Sequence, residues 1–256
     1  MNMKLHHLRN ATFIIEAGAN FILVDPMLGG VGYMPPFSFI RFKPQKNPTV
    51  RLPENHKEIL NKVTHCLITH RHPDHIDSAA IQFLVEQNIP VTCGIKDVRS
   101  LKKRGVNIVQ SLKYWEKDTF LEGSITGIPA KHGYGFMAFP MGNVIGFHVV
   151  LPNYPSIYIS ADTIYTKDVE KALTELKPDI SVLAAGSAQF DIGRPVLMDM
   201  EDILKFVERS PNKVMANHLE AINHCPTTRE QLKSELAQRG LFKKVYIPDD
   251  GETISL

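Results

Sequence analysis

Cysteine is scarce: Cys66, Cys93 and Cys225 are the three in 256 residues. An odd count without Cys-x-x-Cys spacing argues against a disulfide framework. Cys66 and Cys93 fall in strand-like runs and read as packing residues. Cys225 follows His224 and reads the same way, at the edge of any site that His224 joins. Long apolar runs are missing too. The opening residues Met-Asn-Met-Lys-Leu-His-His hold no apolar core of an export signal, and no segment approaches the ~18 apolar residues of a membrane span. A soluble, cytoplasmic protein without a membrane partner is expected. Excess charge is absent: a net +2 is too little for a nucleic-acid surface, so no nucleic acid is expected as partner. There is no Gly-x-Ser-x-Gly, no Gly-x-x-x-x-Gly-Lys and no His-Glu-x-x-His, which removes the main competing catalytic classes.

What is present suits one large α/β domain over residues 1–256. With 43% hydrophobic and 22% charged residues, the chain can bury a sizeable core. Residues 4–8, 12–16 and 20–24 read as a meander of antiparallel strands that ends at Asp25-Pro26, with His6 and His7 as strand residues. Residues 27–53 hold three glycines and five prolines among Met27, Tyr33, Met34, Phe37, Phe39 and Phe42. So long a loop without periodicity tends to be a lid or binding loop. It is read as a substrate cover, with Arg41 or Lys43 available to an anionic group. Packing on its own aromatics and contact between copies of a homo-oligomer are the competing readings.

Further along, Ile76, Ala79, Ala80, Phe83 and Leu84 form the stripe of an amphipathic helix capped by Asp77 or Ser78. Strands are predicted at 90–93, 107–109, 114–116, 124–128, 144–150, 156–160, 180–184, 213–216 and 244–247. Helices are predicted at 96–104, along Val169, Ala172, Leu173 and Leu176, after Asp199, and after a capping box Thr227-x-x-Glu230.

The chemistry centres on Thr64 to Asp77. Val63 to Thr69 reads as a buried strand, and it runs into His70-Arg71-His72-Pro73-Asp74-His75. In a loop leaving a strand, His70 and His72 can turn two imidazoles to one side while Asp74 and His75 reach a point a few ångströms on. Pro73 fixes its φ, so the loop loses little entropy on closing around metal. Two adjacent metal positions are expected.

Thr69 to His75 carries the complete Thr-His-x-His-x-Asp-His signature, and in this the chain resembles the metallo-β-lactamase superfamily. His132, Asp162 and His218 follow in the superfamily's order, each after a strand-like run. The Asp-Pro meander, Gly186 to Phe190 and the His218 to His224 segment resemble the ascorbate-6-phosphate lactonase-like branch, many of whose members carry a histidine where this chain has Asn10. The resemblance implies a four-layer αββα sandwich of two mixed sheets flanked by helices. It implies that His70, His72 and His132 hold one metal, that Asp74, His75 and His218 hold the other, and that Asp162 bridges them. The ions are expected to be zinc, with manganese as the alternative. A metal-bound hydroxide would cleave a small lactone, ester or phosphodiester substrate, one with an anionic group included, and Asp74 would orient that hydroxide. His224 is a candidate for a hydrogen bond near the ligands, for contact with substrate, or for proton transfer. An RNA-processing nuclease of the same superfamily, a di-iron redox protein and a non-catalytic metal-binding protein are the alternatives.

Overall fold

The computed structural model describes residues 2–256. Three antiparallel strands open the chain: β1 (Met3–Arg9), β2 (Thr12–Ala17) and β3 (Asn20–Val24). After the long irregular loop come α1 (His56–Leu60), β4 (His65–Ile68), α2 (Ser78–Glu86), β5 (Val91–Gly94), α3 (Val98–Lys103) and β6 (Ile108–Leu112). The second half holds β7 (Lys117–Phe120), β8 (Gly123–Ala130), β9 (Val144–Val150) and β10 (Ile157–Ile159). It continues with α4 (Lys167–Lys171), β11 (Ile180–Ala184), α5 (Met200–Arg209), β12 (Lys213–Asn217), α6 (Arg229–Gln238), β13 (Val245–Tyr246) and β14 (Thr253–Ser255).

These strands make two seven-stranded sheets, ordered β14-β1-β2-β3-β4-β5-β6 and β13-β12-β11-β10-β9-β8-β7. Each is antiparallel on one side and parallel on the other, the change falling at β3 in the first and β10 in the second. The parallel halves need covered faces because their crossovers carry helices. Phe13, Ile15 and Leu67 of the first sheet meet Phe147, Ile159, Val182 and Met215 of the second in one apolar cluster. The alternate residues face outward under helices: Ile14, Cys66, Ile68 and Cys93 beneath Ala80, Leu84 and Leu101, and Tyr158 and Val214 beneath Phe206, Val207 and Leu232. The result is the expected four-layer sandwich, and both strand cysteines are packing residues.

Local corrections have local causes. Residues 114–116 are a turn rather than a strand; Trp115 adopts φ 59° there, and pairing with β8 begins at Lys117. Thr228, not Thr227, caps α6 by accepting from the Gln231 amide at 3.1 Å, while Thr227 is buried and donates to Ser187 Oγ at 2.9 Å. Asp77 caps α2, accepting from the Ala80 amide at 2.7 Å. The short α1 and the final β14 carry too few residues to show periodicity. Among the described residues no helix is long and apolar enough to cross a membrane.

Candidate metal centre

The fold brings the histidines together because the strands that precede them share a direction. β3 and β4 run parallel in one sheet, β10 and β12 run with β11 in the other, and β8 is antiparallel to β9, itself antiparallel to β10. Loops leaving the C-terminal ends of such strands form a crevice, where α/β sheets place their ligands. His70 to His75 follow β4, His132 follows β8, Asp162 follows β10 and His218 follows β12. His218 itself takes φ 59°, as does Ala161 just before Asp162, so both strands turn sharply at the ligand.

All seven residues expected to hold metal converge. Three sets each place their ligand atoms within 4.8 Å of one another: His70, His72 and His132; His70, His75 and Asp162; Asp74, His75 and His218. Asp162 Oδ2 lies at the centre, 3.2 Å from His75 Nε2, 3.4 Å from His132 Nε2, 3.7 Å from His218 Nε2 and 3.9 Å from His70 Nε2. Asp74 Oδ2 is 3.3 Å from His218 Nε2. All but His72 are buried.

The opposite ring nitrogens are anchored. His75 Nδ1 lies 2.9 Å from Asp25 Oδ2, His70 Nδ1 lies 3.0 Å from Thr69 Oγ1, and His132 Nδ1 lies 2.7 Å from the Val196 carbonyl. The Thr69 hydroxyl donates to Asp25 at 2.7 Å, so it accepts from His70. For His218 the partner is Cys225 Sγ, 3.5 Å from Nδ1. Pinning Nδ1 fixes the ring and leaves Nε2 as the donor to metal. Gly186 lets this corner close: a Cβ there would lie 2.3 Å from the His218 carbonyl and 3.0 Å from Cys225.

The electrostatics ask for a cation. Burial pushes His70 well down and His132 down to about 4. Burial also works against a charged His75, but the Asp162 and Asp25 carboxylates outweigh it and hold it up at about 10. His218 is raised well above the ordinary value against burial, chiefly by Asp162. Asp74 and Asp162 are held far below the carboxylate range, since the His75 and His218 imidazoles overcome their burial. His70 Nε2 and Asp162 Oδ1 are buried with no hydrogen-bond partner. Buried polar atoms are rarely left so. Divalent cations between these rings and carboxylates satisfy both, so the residues fit a metal centre.

His224 and Asp74 face the same cavity of about 150 Å³, lined also by Phe37, His72, Pro73, His132, Met141, Asp162 and Phe190. Phe37 and Phe190 each place a ring centroid 5.2 Å from that of His224. Its Nδ1 lies 3.7 Å from Cys225 Sγ, which leaves Nε2 as the nitrogen available to the cavity. Burial favours a protonated Cys225 thiol, yet the His224 and His218 imidazoles outweigh it and bring the group to about 7.

A family model described as Beta-lactamase superfamily domain matches residues 20–217. The chain belongs to the β-lactamase superfamily. It is 30% identical over 255 residues to the UPF0173 protein YddR of Bacillus subtilis, covering 98% of this chain and 99% of that one. Among solved structures it is similar to a possible metal-dependent hydrolase from Veillonella parvula, with TM-score 0.92, 28% identity and full coverage of both chains. It is also similar to an isothiocyanate hydrolase from Delia radicum gut bacteria, with TM-score 0.89, 32% identity and 98% of each chain covered.

Several residues of this site carry no signal in the sequence. Asp25 stands in an ordinary Asp-Pro strand end. Asn10 is a turn residue whose Nδ2 donates to the Asp74 carbonyl at 3.0 Å and whose own carbonyl accepts from the His218 amide at 2.8 Å, tying two ligand loops together. The 27–53 loop supplies Phe37 to the cavity, and two side chains fasten the stretch around it. Asn223 accepts from the Phe37 amide at 2.9 Å, and Asp191 accepts from the amides of Phe39, Ile40 and Arg41 and from Ser38 Oγ. Arg41 does not reach the cavity as anticipated for an anion contact; it donates to Gln189 Oε1 at 2.7 Å and lies outside the lining residues.

Proposed function

We propose that this superfamily member is a metal-dependent hydrolase of small neutral electrophiles, with lactones and esters as the leading class. The observation that carries the reading is the convergence of five imidazoles and two carboxylates around Asp162 Oδ2, four of the rings pinned by Nδ1. His70, His72 and His132 would hold one divalent ion and Asp74, His75 and His218 the other, with Asp162 between. Imidazole and carboxylate donors without thiolate suit zinc first and manganese second. Such ions supply Lewis acidity toward the attacked group and lower the pKa of water from ~15.7 toward ~7.

The chain's own residues do the rest. Asp74 reaches the cavity from the ligand loop and accepts the proton of the attacking water. His224 lines the same space and would donate a proton to the leaving group. Phe37, Phe190 and Met141 keep the cavity apolar, which strengthens each polar contact inside it. Among the described residues no lysine or arginine lines this cavity. A phosphodiester or other anion would have only the metal ions to meet its charge at this cavity, so a neutral carbonyl compound is the leading class.

A second reading has one specific support: the similarity to the isothiocyanate hydrolase extends over 98% of both chains. An isothiocyanate is a neutral electrophile, and its central carbon would take water in the same cavity. Elemental analysis, followed by hydrolysis assays on lactone, ester, thioester, isothiocyanate and bis-phosphodiester substrates before and after chelation, tests the proposal. Chelator-sensitive cleavage of a neutral class supports it. Metal-loaded protein that cleaves the phosphodiester alone would refute the neutral-substrate reading.

A further inference from the structure

A second and larger depression, of about 300 Å³, lies beyond the metal centre where β5 and β6 end. Its floor is made by Leu112, Val144 and Ile145, all buried, and its walls by Ile95 and Tyr114, 45% and 44% exposed. A middle segment joins it to the catalytic cavity. That segment shares His72 and Met141 with the cavity on one side, and Asp97 and Asn143 with the depression on the other. The three form one groove that runs across the ends of β4, β5 and β6. Adjacent strands are ~4.8 Å apart, so the far pocket sits about 10 Å from the strand that carries His70.

The groove is built in advance. Tyr114 donates from its hydroxyl to the Val144 carbonyl at 3.0 Å, which sets the ring as a wall. Lys96 Nζ donates to Asn143 Oδ1 at 2.8 Å and holds the 140–143 loop against the loop after β5. In the middle segment Arg71 is paired with Asp97 at 2.6 Å and donates to Ser100 at 3.0 Å, so its charge is already met. The polarity therefore changes along the groove: reactive centre, short polar stretch with a neutralised ion pair, then a mostly apolar end whose lining also includes Lys113 and the Asn143-bonded Lys96.

We infer that this groove takes the apolar arm of the substrate, resting on the hydrolase reading above. The substrate class is bipartite, a neutral hydrolysable head at the metal centre followed by an aliphatic or aryl arm that lies past His72 and Asp97 against Ile95 and Tyr114. Continuity with the catalytic cavity is what selects a substrate arm as the occupant over a separate ligand. Buried methylenes each add favourable free energy, so affinity for the arm grows with its length until the pocket is filled.

The test uses metal-loaded protein and the ethyl esters of acetate, butyrate, hexanoate and octanoate, with direct binding of octanoate by calorimetry as a readout independent of turnover. In the wild type kcat/KM rises about tenfold or more from acetate to octanoate. In Ile95→Glu the octanoate-to-acetate ratio falls to within about threefold, and octanoate binding weakens in parallel. Val109→Glu, an exposed change on β6 outside the groove, keeps the wild-type ratio. A flat chain-length series, or one that Ile95→Glu leaves intact, overturns the inference. So does an Ile95→Glu change in oligomeric state with an unchanged ratio, which would make the groove a contact between copies. Octanoate binding that depends on Ile95, without cleavage of any ester, would sustain the arm pocket and overturn ester hydrolysis instead. Neither binding nor turnover would overturn the arm pocket.

Discussion

Asp25 Oδ2 holds His75 Nδ1 at 2.9 Å, and Asp25 Oδ1 holds the Thr69 amide at 2.8 Å. One carboxylate from the end of β3 thus orients a ligand and fixes the loop that carries three more. Asp25→Asn is expected to weaken metal affinity roughly 10–100-fold while the fold persists. Competition against a chromogenic chelator measures it, and an unchanged affinity would show that the loop orients itself.

Asp74→Asn keeps the side chain's size and removes the charge. Folding and most of the bound metal are expected to survive, with kcat reduced by about 10²–10⁴. Metal content and steady-state kinetics on the same preparation decide it; near wild-type turnover would remove Asp74 from proton transfer.

Cys225 stands behind His218, where His70, His75 and His132 have oxygen partners. Cys225→Ala is expected to speed metal loss to a chelator roughly 10–100-fold, and Cys225→Ser, which restores an acceptor, should recover most of the difference. Equal metal loss in both variants would point to packing against Gly186 instead.

Asp250 accepts from Arg229 Nη2 at 2.7 Å and lies 3.3 Å from Nε2 of buried His7. Burial favours its neutral form, yet His7 and Arg229 lower its pKa. Its folded pKa is below its unfolded one, so the stability it contributes is present above about pH 4 and is lost as pH falls through the folded value. Asp250→Asn is expected to cost about 1–3 kcal/mol at neutral pH. Urea unfolding of both proteins should show the gap closing below about pH 4; a gap that stays constant contradicts the linkage.

Asp191 fastens the 27–53 loop through four donors. Asp191→Ala should release the segment, so that trypsin cleaves after Arg41 several-fold faster and KM rises more than kcat falls. Unchanged proteolysis would mean that Asn223 and the contacts of Arg41 with Gln189 and Gly193 suffice to hold it.

The ligands were legible in the sequence because most of their information is local. His70, His72, Asp74 and His75 sit within one loop, and His132, Asp162 and His218 each follow a readable apolar strand. Their supports were less legible: Cys225 read as a packing residue at the edge of the site and Asn10 as a departure from the related branch, while the contacts that Asp25, Asn10 and Cys225 make exist only once the sheets assemble. The meander, α2 and α5 were visible for the opposite reason, a clear periodicity or a capping aspartate within a few residues. At Trp115 the sequence misled: aromatic residues favour strands, but the turn that starts β7 needed a residue at positive φ. Arg41 misled likewise, since a charge in a flexible-looking loop says nothing about which carbonyl it will find.

The pairing of β1 with β14 joins Lys4 to Ser255 and Leu5 to Ile254. The sheet that carries Asp25 and the first ligand loop is therefore interrupted in sequence by the whole of the other sheet, and its outermost strand comes after β13. The two sheets cannot mature as successive units on a growing chain. Loop closure over so long a separation makes that final pairing slow, and until it forms, β1 offers an open edge on which another nascent chain can pair.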